Sequence, residues 1–130
     1  MDKQARETLA KNIKRLMDHS NPRLTQTDLA KKSGVSQRTI SNLLRPDAEI
    51  SPTLANVEAV AQSFGLALWH LLVPDLPDDL LASRSIEKVL DCYKEATSEG
   101  RATIERIAEG EMRYRQIENT QTENIKKSGG

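Results

Sequence analysis

Gln37, Arg38, Thr39 and Asn42 lie close together in the chain and carry the chemistry of base-edge recognition. An arginine presents a planar fork of donors that matches the O6/N7 edge of guanine. A glutamine or asparagine presents a donor beside an acceptor, which matches the N6/N7 edge of adenine. Such groups act together only if one rigid rod holds them on a single face. At ~100° per residue, Arg38, Asn42 and Arg45 fall on one side of a helix, flanked by Gln37, Thr39 and Ser41. Ile40, Leu43 and Leu44 take the opposite side and give the rod a face to bury.

The preceding residues supply what would hold that rod. Thr25 with Asp28 three positions later is a capping-box pattern that opens a helix. Leu29 and the small Ala30 point inward from it, and Gly34 provides the positive φ that ends it and turns the chain. Ser36 then caps the second helix. Two short helices joined by a tight turn are the parts of a helix-turn-helix, whose second helix enters the DNA major groove. An ordinary αα-hairpin also exposes polar residues, but the spacing of Gln26, Ala30, Gly34, Ile40 and Leu43 is far more restrictive.

On these residues the stretch TQTDLAKKSGVSQRTISNLL resembles the helix-turn-helix of the lambda repressor and Cro-like regulators, the xenobiotic-response-element type. The resemblance runs from Leu9 to Leu72 and does not extend to residues 83–130. It implies a five-helix domain in which Gln37, Arg38, Thr39 and Asn42 read bases while Gln26, Ser36, Ser41 and Arg45 hold phosphates. In family members a basic residue at the position of Arg15 often pairs with an acid late in the recognition helix. The corresponding residue here is Leu44, which leaves Arg15 to phosphate or solvent.

Taken in order, residues 2–7 read as a frayed start, followed by an amphipathic helix carrying Leu9, Ile13, Leu16 and Met17. After Arg45 comes a loop, then a helix with Ser51 as N-cap and Pro52 at its first position. Its inner stripe is Leu54, Val57, Val60, Ala61 and Phe64, and Gly65 ends it. Leu66–Leu72 reads as a short fifth helix in which Trp69 and His70 are structural. The fold class is therefore all-α, a five-helix lambda-repressor-like DNA-binding domain over residues 1–74 with a C-terminal helical extension. The acidic, Pro-punctuated segment 75–82 reads as a hinge, 83–118 as a helical oligomerisation segment, and 119–130 as a disordered tail.

Charge is distributed unevenly. Residues 1–45 hold ten Lys/Arg against four Asp/Glu, residues 46–82 hold six acids and no base, and residues 83–130 hold nine of each. The basic surplus thus coincides with the candidate reading head, where short-ranged attraction to phosphate acts. The single Cys92 excludes an intramolecular disulfide and any multi-cysteine zinc site. No Gly-rich phosphate loop, paired catalytic carboxylates or Cys/His cluster is present, so neither catalysis, cofactor nor metal is expected. Fewer than fifty residues follow the hinge, too few for the self-cleaving domain that many repressors of this type carry. With neither a signal peptide nor a transmembrane run, the reading is a cytoplasmic, nucleoid-associated protein without membrane contact. The expected function is that of a phage- or prophage-type repressor binding double-stranded DNA as a homodimer, or a higher homo-oligomer, on a palindromic operator. An antitoxin that also binds a toxin is the alternative, and a protein-binding adaptor a third class.

Overall fold

In the computed structural model, which describes residues 2–128, every regular element is a helix. The chain forms α1 (Lys3–His19), α2 (Gln26–Ser33), α3 (Gln37–Leu43), α4 (Leu54–Ser63), a 3-10 helix (Leu68–Leu72), α5 (Asp78–Leu81), α6 (Ser85–Glu95) and α7 (Ser98–Ser128). They fall into two units that meet between Glu87 and Lys88.

The first unit is built around an aliphatic core. Leu9, Ile13, Leu16 and Met17 of α1 meet Leu29 of α2, Ile40 and Leu43 of α3, and Val57, Val60 and Ala61 of α4. Leu66, Leu71 and Leu81 close it from the C-terminal side. Burying side chains of this size contributes roughly 1.5–3 kcal/mol each, and this is what keeps such short helices folded. Isolated helices the length of α2 and α3 are unstable in water.

The helix boundaries follow local chemistry. The Thr25 hydroxyl accepts from the Asp28 amide while the Asp28 carboxylate accepts from the Thr25 amide, so both arms of the capping box form. These bonds hold the Asp28 carboxyl below its usual range. Gly34 ends α2 at φ 76° and Gly65 follows α4 at φ 71°, a region costly for residues with a Cβ. The start of α4 differs from the expected Ser51–Pro52. Thr53 is the N-cap, its hydroxyl accepting from the Asn56 amide at 3.2 Å, and the helix begins at Leu54. The expected fifth helix is a 3-10 helix and covers only Leu68–Leu72.

Three further parts of the chain depart from expectation. Residues 2–7 are not a frayed start: α1 begins at Lys3, and Arg6 is buried. Segment 75–82 is no hinge but part of the first unit. Leu81 inserts into the core, Leu76 packs against it, and the buried His70 donates through Nε2 to the Leu81 carbonyl at 2.9 Å. Arg15 is taken up here too, donating to the Leu76 carbonyl and to Asp78, whose carboxyl it holds below the ordinary carboxylate range. It is thus committed to neither phosphate nor solvent.

The third lies in the second unit. Residues 119–128 continue α7 instead of forming a disordered tail, and residues 129–130 lie outside the described part. No glycine or proline interrupts the chain between Gly110 and Ser128, and adding residues to an existing helix is far easier than nucleating one.

Candidate nucleic-acid interface

The turn between α2 and α3 delivers α3 to the surface. Ile40 and Leu43 anchor it at 0% and 2% exposure, which fixes the rotation of the opposite face. Gln37, Arg38 and Arg45 on that face are exposed, while Thr39, Ser41 and Asn42 are half-buried. Gln26, at the first position of α2, is half-buried as well, and Ser36 at the N-cap of α3 is exposed.

Local bonds set how these groups can act. The Ser36 hydroxyl accepts from the Thr39 amide at 3.2 Å and donates to the Thr39 hydroxyl at 2.9 Å. Ser36 therefore spends its proton inside the protein and orients Thr39. The Asn42 side-chain oxygen accepts from the Arg45 guanidinium at 2.9 Å. That bond engages the Asn42 oxygen and draws Arg45 back along the helix toward Asn42. Gln37 and Arg38 extend from the first turn, where recognition helices approach base edges.

Beyond the end of α3 the surface is hollowed. Arg38, Ser41, Asn42 and Arg45 line one side of a depression of about 450 Å³, and Asp47, Glu49 and Ile50 line the other. The two acids lie beside the arginines and reduce the positive potential at this end of the helix.

The position of α3 depends on a residue that the sequence reading missed. Arg6, 6% exposed, reaches from the first turns of α1 to the C-terminal end of α3. Its guanidinium donates to the backbone carbonyls of Arg45 at 2.8 Å, Asn42 at 3.3 Å and Ile50 at 3.3 Å. The last carbonyls of a helix lack partners within it and carry the negative end of its dipole, so a cation there is doubly suited. Asn12 does the equivalent for the 3-10 helix, its side-chain amide donating to the carbonyls of Leu71 at 2.8 Å and Val73 at 3.0 Å. Helix α1 thus supplies both apolar packing and the polar caps that end two of its neighbours. Nothing local signalled this role for Arg6, since Asp2 stands four residues before it as an ordinary helix partner.

Among the described residues no group of His, Cys, Asp and Glu stands close enough together to hold a metal ion, and no helix is long and apolar enough to cross a membrane.

Residues 13–68 match the helix-turn-helix family model. The match covers α2, the turn and α3 entire, and it begins after Arg6 and Asn12. No curated protein and no solved structure matches the chain.

Proposed function

Because residues 13–68 match the helix-turn-helix family model, we propose that this chain is a sequence-specific DNA-binding repressor of the lambda repressor/Cro-like type. It acts as a homodimer on a palindromic operator, with α3 of each copy in the major groove. The observation that carries this reading is the face of α3 itself, where Gln37, Arg38 and Asn42 stand clear of a core that fixes their orientation. Gln37, Arg38, Thr39 and Asn42 read bases. Gln26, Ser41 and Arg45 hold phosphates, together with the backbone amides that Ser36 leaves open at the start of α3. Repression follows from occupancy: a bound dimer excludes polymerase from the same DNA. Selection of bound sequences from a random DNA pool tests the proposal, since a repressor of this kind enriches one inverted repeat. An unenriched pool would overturn it.

Two substitutions separate base reading from phosphate binding. Arg38→Ala is expected to cost roughly 1–3 kcal/mol at the preferred site and to relax preference at one base pair. Binding to random DNA changes little, and titration of both DNAs under the same salt makes the comparison. An equal loss on both would reassign Arg38 to phosphate. Arg45→Ala is expected to flatten the dependence of log K on log salt by about 0.9, the contribution of one phosphate contact. Because Arg45 also holds Asn42, the same variant loosens preference at the base pair that Asn42 reads. An unchanged salt slope would remove Arg45 from the phosphate set.

The antitoxin alternative draws on the second unit, where Val89 and Leu90 of α6 are exposed at 61% and 41%. A toxin-like reading frame beside the gene would favour it over a self-contained repressor.

A further inference from the structure

Helix α7 exposes Ile107, Tyr114 and Ile117 at 59%, 69% and 58%. The intervals between them are those of a heptad seam: with Ile107 at position a, Tyr114 falls at the next a and Ile117 at the d that follows. Gly110 occupies the first d, and Gln121 and Asn124 continue the seam as polar members. A seam with so few apolar residues does not by itself define a partner or a direction. The flanking charges do.

In the same register Arg106 and Arg113 are at g, and Glu111 and Glu118 are at e. In a parallel pair of helices, each g residue faces the e residue five positions later on the partner. Arg106 then meets Glu111 of a second copy, and Arg113 meets Glu118, with both pairs repeated by the two-fold axis. An antiparallel pair brings g beside g and e beside e, so Arg113 would face Arg113 and Glu111 would face Glu111 wherever the helices cross near their middle. Among the described residues none of these four charged heads is in an ion-pair contact, and all four residues are exposed.

We infer that the exposed face of α7 from Arg106 to Glu118 pairs in parallel and in register with the same face of a second copy, the Arg106–Glu111 and Arg113–Glu118 charges setting direction and partner. The inference deepens the proposed dimeric repressor and rests on the dimer of that reading. It assigns the dimer's interface to one helix and its orientation to four named charges. In a parallel pair both chains enter the paired helices from the same end, so the two DNA-binding units are tethered there together, the arrangement that lets two recognition helices address one operator.

The test uses full-length protein carrying Cys92→Ser, so that introduced thiols act alone. Ile107→Cys and Ile117→Cys, made separately, are each expected to form a disulfide-linked dimer on mild oxidation. Like seam positions in a parallel pair stand within disulfide reach. An antiparallel pair links at most one of them, because the two positions lie about 15 Å apart along the helix. In parallel, Arg106→Glu combined with Arg113→Glu, and Glu111→Arg combined with Glu118→Arg, each face like charges and are expected to raise the dimer dissociation constant about 100-fold. An equimolar mixture of the two double variants restores association as a heterodimer. Sedimentation of the unmodified chain separates the possible failures. A dimer in which only one cysteine or neither links, or in which the charge variants associate as tightly as the parent, overturns the parallel pairing and leaves the dimeric repressor standing. A monomer overturns both the pairing and the dimer.

Discussion

Replacing Arg6 by methionine is expected to lower the free energy of unfolding by about 3 kcal/mol and to weaken operator binding further than the loss of folded protein explains. The reason lies in what the guanidinium serves. Three backbone carbonyls, those of Asn42, Arg45 and Ile50, converge on it at the end of the recognition helix. Methionine fills much of the volume but donates nothing, so the Ile50 carbonyl must find water or stay unsatisfied, while those of Asn42 and Arg45 keep only the Arg45 and Ala48 amides; bonds to a charged donor are worth about 1.5–3 kcal/mol each in favourable cases. No carboxylate forms an ion pair with Arg6 among the described residues, so the variant strands no opposite charge. The cost stays below that of breaking a buried ion pair, about 3–5 kcal/mol. Arg6→Lys is expected to fall between the two, since a compact ammonium cannot span three acceptors as a planar fork does. Urea unfolding gives the stability difference. DNA titration at temperatures where the variant remains folded gives the second effect, a loss of about tenfold at the preferred site with random DNA nearly unaffected, because Arg6 is buried and positions α3 without touching DNA. Stability within about 0.5 kcal/mol of the parent, the ordinary scatter of surface changes, would show that the carbonyls are satisfied without it.

The helix-turn-helix was legible because its signals are local. The capping box at Thr25 and Asp28, the positive φ at Gly34 and the cap at Ser36 each act within a few residues. The apolar face of α3 likewise needed only a helical period, and it placed Ile40 and Leu43 in the core. What escaped depends on distant partners. Arg6 is one of several basic residues in its stretch until the chain brings it to carbonyls 36, 39 and 44 positions away. Segment 75–82 carries Pro and Asp, the marks of a connector, and only the core vacancy that Leu81 fills and the guanidinium of Arg15 make it part of the domain. The end of α7 illustrates the opposite error. Its Asn, Gln and Thr residues give no apolar reason to fold, yet a helix already nucleated upstream extends through them for want of a breaker. On the candidate interface the sequence identified which side chains face outward. It could not show that Ser36 is bound to Thr39 or Arg45 to Asn42, since those choices depend on rotamers.

Two shortened chains are expected to part stability from operator affinity. A chain ending at Pro77 loses Leu81 from the core, Asp78 from Arg15 and Glu87, whose carboxylate accepts from the Ala67 amide at 2.9 Å. Emptying a fully buried leucine site alone costs about 2–5 kcal/mol, so this chain is expected to unfold at much lower urea than the parent and to bind DNA poorly for that reason. A chain ending at Glu95 keeps all of these contacts and the whole of α6, and lacks only α7. Its unfolding is expected to match that of the parent's first unit, and its affinity for a single half-site should be unchanged. Its affinity for the full palindrome should nevertheless fall about 100-fold or more, because two tethered reading heads convert the second half-site into an intramolecular partner at roughly millimolar effective concentration. Half-sites about 34 Å apart, one helical turn of DNA, match two recognition helices entering successive major grooves. Sedimentation and titration against half and full sites decide the outcome. A Glu95-ended chain that stays a tight dimer and holds the full palindrome as the parent does would place the operator-binding interface on the first unit and leave α7 for another purpose.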